Sequence, residues 1–155
     1  MTLLDVTSYN DREILYLRGY VGCGMLCNGG VIVAKVKNDP EREHRIDMDI
    51  IVDAYDEWER AMGWYYYLEE HLGFPFTANC VCKRAISPLR VKDEVEVLKM
   101  APEEECEHEM FVVIRWEREG LAVPLTQLKP GGYVDSETRQ AVKDWHYWVK
   151  QGYRF

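Results

Sequence analysis

The chain has 155 residues, the size of one domain, and is long enough to bury a core without disulfide or metal staples. Its 47% hydrophobic content excludes a disordered polymer. A net charge of −8 excludes the basic, phosphate-neutralising surface that nucleic-acid binding requires, and suits a cation or a basic partner.

The charge is uneven. Residues 1–40 balance four acids against four bases, so the acidic excess belongs to 41–155. No apolar run approaches the roughly 20 residues needed to cross a bilayer, and no basic stretch with a following apolar core opens the chain. The expectation is a cytoplasmic protein with neither membrane nor nucleic-acid partners. Five cysteines (Cys23, Cys27, Cys80, Cys82 and Cys106) then read as buried thiols or metal ligands rather than a disulfide framework.

In chain order, residues 1–40 form a compositional unit of their own, ahead of a second unit over 41–155. Residues 12–18 and 30–37 are apolar, partly β-branched runs separated by a glycine-rich stretch ending in Asn28-Gly29-Gly30, which predicts a β-hairpin extension. Residues 38–45 read as a polar hinge. Residues 46–53 read as an extended or kinked lead-in that delivers Asp53 and Asp56 to the next element.

That element organises the chain. Ala54, Trp58, Ala61, Tyr65, Leu68 and Leu72 recur at steps of four and three, the spacing of one helical face. Asp56 is placed to cap the first turn, and Glu57 and Glu59 sit where the helix dipole favours acids. Gly73 and Pro75 are expected to stop the helix.

Beyond Pro75 the period changes to two. Strands are predicted over 76–84, 93–100, 110–118 and 120–128, with Val95, Val97 and Lys99 on one face and Pro124 at an edge or bulge. Short strands with close turns predict a small antiparallel barrel, SH3-like. A second helix follows residues 130–135, with Ser136 as cap, an inward stripe of Ala141, Val142, Trp145, Trp148 and Val149, and Gly152 as stop. The fold class is therefore α+β: a long helix and a C-terminal helix packed on a small barrel, with an N-terminal hairpin.

Two acid clusters carry the chemistry. One comprises Asp47, Asp49, Asp53, Asp56, Glu57 and Glu59; the other is the run Glu103-Glu104-Glu105-Cys106-Glu107-His108-Glu109. Calcium takes six to eight hard oxygen ligands, and such segments offer carboxylates and turned-in carbonyls. The plain alternative is a solvated, solubilising surface. An EF-hand is excluded, because a loop from Asp47 puts Ile51 at position five and Val52 at six, where glycine is required. A zinc alternative uses Cys80, Cys82, Cys106 and His108, two pairs that each share a strand face through one-residue spacing. Nucleophile-elbow, phosphate-loop and His-Glu-x-x-His patterns are missing, so no enzyme is expected.

Residues from about 41 to 155 resemble the cyanobacterial-type calcium-binding protein family (CcbP-like). The resemblance is carried by Asp53-Ala-Tyr-Asp56, Glu59-Arg-Ala-Met-Gly-Trp-Tyr-Tyr-Tyr-Leu-Glu69, Phe74-Pro-Phe76, Asp93-Glu-Val-Glu-Val97, residues 100–110, Ile114-Arg-Trp116 and Trp145-His-Tyr-Trp148. It implies a small acidic cytosolic protein that binds calcium without EF-hands, as buffer or sensor, through helices flanking a small β-barrel. From acid placement, the candidate ligands are Asp53, Asp56, Glu57, Glu59, Glu103, Glu104, Glu105 and Glu107, with Glu69 and Glu70 expected to matter little. The reading from a different class is a protein-interaction module that presents aromatics to an unidentified partner.

Overall fold

The computed structural model describes residues 37–155 except Arg154. The hairpin expected in the N-terminal unit, with Cys23 and Cys27, lies outside the described residues.

The first described element corrects the reading of a polar hinge and extended lead-in. Asp39 caps helix α1 (Pro40–Arg45), its Oδ1 accepting the Arg42 amide at 3.2 Å, and Pro40 occupies the first turn, where its missing N–H costs nothing. One π-helical turn (Ile46–Ile50) continues it and buries Ile46 and Ile50. The sequence signal was Asp39-Pro40, a cap followed by the residue best suited to the first helical position.

Helix α2 spans Glu57–His71 and is capped by Asp56 as its sequence predicts. Its buried face differs from the predicted stripe. Ala61, Tyr65 and Leu68 turn inward, joined by Met62 and Trp64, whereas Ala54 precedes the helix and Trp58 is 58% exposed. Gly63 marks a close crossing, since a Cβ there would stand 2.3 Å from the Ile50 carbonyl oxygen. The helix ends at extended Leu72 (φ −85°, ψ 112°) and not through a left-handed Gly73. Gly73 instead admits the start of the C-terminal helix: its amide donates to Thr138 Oγ1 at 2.7 Å, and a Cβ would meet Asp135 Oδ2 at 3.1 Å.

Five antiparallel strands follow: β1 (Phe76–Cys80), β2 (Glu94–Met100), β3 (Phe111–Trp116), β4 (Glu119–Pro124) and β5 (Leu128–Pro130). Their order across the sheet is β4-β3-β2-β1-β5. The sheet does not close, which corrects the expected SH3-like barrel. A 3₁₀ turn (Leu125–Gln127) carries the chain from β4 to β5, and among the described residues the three-residue β5 pairs with β1 alone. A register shift between Val97 and Lys99 turns Met100 inward in place of the predicted Lys99. Pro124 lies on β4, at the edge of the described sheet, as its missing donor requires.

Helix α3 (Ser136–Lys150) is capped by Asp135, one residue before the predicted Ser136; Asp135 Oδ1 accepts the Thr138 amide at 2.8 Å. Gly152, with φ +78°, follows its last turn as expected. The tryptophans face inward: Trp64 meets Trp145 edge-on at 5.2 Å between centroids and Trp148 at 5.6 Å.

One buried carboxylate ties the three helices. Asp144 of α3 is fully buried and accepts from Arg45 Nε (3.0 Å) and Nη2 (2.8 Å), from Tyr67 Oη (3.1 Å) and from Gln140 Nε2 (2.8 Å), with Arg42 Nε 2.9 Å away. Such a charge is tolerable in the core only because its lone pairs are engaged.

Candidate metal-binding segments

The first acid cluster is organised by the start of α2. A turn closed by the Ala54 amide on the Ile51 carbonyl (3.1 Å) sets Asp53 in the left-handed region, φ +58°, which aspartate and asparagine tolerate better than most residues. Asp56 Oδ1 accepts the Glu59 amide at 2.8 Å, and Glu59 Oε2 accepts the Tyr55 amide at 2.6 Å. Each of these two carboxylates keeps an oxygen that no donor among the described residues occupies. Asp53 and Glu57 are exposed and form no ion pair among the described residues.

The second cluster is a 3₁₀ turn, Glu103–Cys106, followed by Glu107 in helical conformation. In a 3₁₀ helix residues i and i+3 eclipse. Glu103 therefore shares a side with the buried Cys106, facing α2, while Glu104 and Glu107 share another and Glu105 points away from both. Tyr66 Oη donates to Glu103 Oε1 at 3.0 Å, and Tyr65 Oη to the Ala101 carbonyl at 3.0 Å, which fixes the turn against the helix. Glu109 is drawn inward, held by Arg84 at 2.8 and 3.0 Å and by Thr126 Oγ1 at 3.0 Å.

The two clusters lie along one flank of α2 without merging. Glu59 and Tyr66 are seven residues apart, two turns on the same face, so the residue that holds Glu103 sits about 10 Å along the axis from Glu59. Glu69, expected to be remote, is on the Glu103 side. The hydrogen bond to Glu103, then the charges of Glu103 and Glu69, raise the Tyr66 phenol pKa. Burial first, then the charge of Glu69, raises that of Tyr65 to about 12. A further acid grouping was not foreseen: Asp49, Glu70 and Glu137 border a cleft of about 490 Å³ together with Arg45 and His71. These acids come from three elements, so no local spacing announces them.

The donor chemistry suits a hard cation, being carboxylate oxygen throughout. Among the described residues no three His, Cys, Asp or Glu side chains converge in a metal-holding group, so a bound ion would draw on side-chain rotation, backbone carbonyls and water to complete its shell. The zinc alternative does not fit, and the reading of the cysteines as thiols or ligands is corrected at Cys82, which is disulfide-bonded. Cys80 lies beside the start of β2, its amide donating to the Asp93 carbonyl at 2.8 Å, whereas Cys106 follows the end of that seven-residue strand. The two thiols are thus roughly 20 Å apart along β2. Burial raises both thiol pKa values, away from the thiolates zinc needs. Cys80 Sγ donates to the Cys82 carbonyl at 3.0 Å, and His108 is exposed.

The family Calci_bind_CcbP, described as calcium binding, matches residues 44–149. The chain belongs to this calcium-binding family. The crystal structure of Anabaena CcbP is 42% identical, with a TM-score of 0.70, and the match covers 79% of this chain and 99% of that one. A structure of a calcium binding protein in the calcium-binding form is 41% identical, with a TM-score of 0.69 and coverage of 79% and 99%. No curated protein matches the chain. These two structures thus fit inside this chain almost whole and leave about a fifth of it without counterpart. No described helix is long and apolar enough to cross a membrane.

Proposed function

We propose that this chain is a non-catalytic calcium-binding protein that takes the ion on carboxylates flanking α2 and buffers calcium in the cytoplasm. The observation that supports it most is kinship, at 41% identity over nearly the whole of the relative, with a protein described in a calcium-binding form. The ligands assigned are Asp53, Asp56, Glu57 and Glu59 at the helix start, and Glu103, Glu104, Glu105 and Glu107 at the 3₁₀ turn. Of these, Asp53 with Asp56 and Glu104 with Glu107 are the pairs that local geometry best supports. Neither segment has an EF-hand pattern.

Buffering is favoured over sensing because both segments are already fixed by the fold. The helix start is capped and the 3₁₀ turn is pinned by Tyr65 and Tyr66, so ion binding calls for no helix to swing open. Calorimetry on metal-stripped protein tests the reading. Saturable calcium binding at roughly micromolar to sub-millimolar strength is expected, with magnesium competing poorly because it demands octahedral geometry and retains its waters. Absence of heat up to millimolar calcium contradicts it.

A second reading, an interaction module, rests on Tyr55 and Trp58, which are 85% and 58% exposed beside the acids. It predicts loss of a partner in Trp58→Ala with calcium binding unchanged.

A further inference from the structure

A cavity of about 890 Å³ opens between α3, the segment leading into α1, and the β1–β5 side of the sheet. Among the described residues, seven Lys or Arg and two Asp or Glu line it, in a chain with 19 and 27 of them, an inversion of the overall charge. It shares no residue with the candidate calcium ligands.

The two acids on the wall are committed elsewhere. Glu109 chelates Arg84, and Asp39 caps α1. Lys37, Lys129, Lys143 and Lys150 form no ion pair with any described carboxylate. Arg139 is held by the carbonyls of Gly131, Gly132 and Val134, which fix its position, and it pairs with no described carboxylate. Lys143 and Lys150 are seven residues apart on one face of α3, about 10 Å along the axis, with Val142 and Val149 on the same wall.

We propose that this cavity binds a small organic polyphosphate, of the size and charge of a nucleoside triphosphate. The volume lies in the range of small-molecule sites. Unpaired ammonium groups are compact point charges that suit clustered phosphate oxygens, and their spacing along α3 fits a ligand bearing several anionic groups instead of one. Half-buried Val149 offers apolar surface to the non-phosphate part. Gathering such cations without a counter-charge costs electrostatic free energy that an anion relieves.

The test uses the full chain in buffer freed of divalent ions, so that binding is independent of calcium. Isothermal titration with ATP, with inorganic triphosphate and with a hexaglutamate peptide separates the ligand classes. The expected result is saturable ATP binding, weakened at least tenfold by the double change Lys143→Glu and Lys150→Glu and unaffected by Lys99→Glu, an exposed lysine outside the cavity, with circular dichroism unchanged in both. Triphosphate binding within severalfold of ATP supports the proposal and assigns recognition to the phosphates. No ATP binding up to millimolar concentration, equal loss in Lys99→Glu, or hexaglutamate binding tighter than ATP overturns it. Should the double variant fail to fold, Lys129→Gln in its place is expected to weaken ATP severalfold, and an unchanged affinity there overturns the proposal.

Discussion

The hydroxyl of Tyr66 donates to the carboxylate of Glu103 at 3.0 Å, joining the exposed flank of α2 to the acid-rich 3₁₀ turn. The bond makes the tyrosine a reporter. Glu103 raises the phenol pKa above its usual value of 10, because a carboxylate acceptor favours the protonated hydroxyl and its charge disfavours phenolate. Calcium recruiting Glu103 would withdraw both effects. The Tyr66 pKa should therefore fall on calcium addition, read as phenolate absorbance in an alkaline titration, and Tyr66→Phe should abolish that shift. A calcium-saturated protein with the same tyrosine titration as the free one would remove Glu103 from the ligand set.

Asp144 is the point at which α1, α2 and α3 meet, fully buried between two arginines, a tyrosine and a glutamine. Asp144→Ala leaves Arg45 and Tyr67 without their acceptor and Arg42 without its buried counter-charge. Removal of one partner of a buried ionic cluster typically costs about 3–5 kcal/mol. Urea denaturation should show a loss of that order, and a change under about 1 kcal/mol would contradict the role given to this residue.

His146 supplies a pH dependence. It lies half-buried on α3, its Nε2 3.2 Å from the Leu125 carbonyl oxygen, and burial, with Lys150 nearby, lowers its pKa below 6.5. The unfolded chain then binds a proton more readily than the folded one between the depressed value and 6.5. The stability this group contributes is full above about pH 6.5 and is lost as pH falls through that window. His146→Gln should flatten the slope of melting temperature against pH there, while a slope identical to wild type would show that other groups set it.

Where a local rule had no competitor, the sequence was sufficient. Asp56 at the start of α2, Gly152 after α3, Pro124 at an edge and the inward Trp145 and Trp148 all followed from caps, missing donors and periodicity. Long-range packing decided the rest. Trp58 fits the helical stripe but lies too near the helix start to reach the core, whereas Trp64, off the stripe, meets α3. Gly73 looked like a helix stop because its real constraint, Asp135 and Thr138 at the head of α3, is some 60 residues distant in sequence. Closure of the sheet likewise depends on how β4 and β5 part around the Leu125–Gln127 turn, which strand patterns do not reveal. The acid segments were legible as clusters, but not the eclipsing of Glu104 and Glu107 or the diversion of Glu109 to Arg84.

Charge-removing substitutions separate the two segments without damaging them. Asparagine caps a helix as well as aspartate and tolerates the left-handed conformation, so Asp53→Asn and Asp56→Asn should keep the fold. Each is expected to weaken calcium binding roughly tenfold, about 1.4 kcal/mol. Glu104→Gln and Glu107→Gln should act alike, and Glu105→Gln less. Calorimetry that finds all five equal to wild type would place the site elsewhere, with Asp49, Glu70 and Glu137 the next group to change.

The most direct measurement is the structure of the protein crystallised with calcium, with anomalous scattering used to place the ion. A peak is expected beside α2 with carboxylate oxygens of Asp53 and Asp56, or of Glu104 and Glu107, at about 2.3–2.6 Å. A calcium-saturated crystal with its ions elsewhere, and none within reach of these carboxylates, would contradict it.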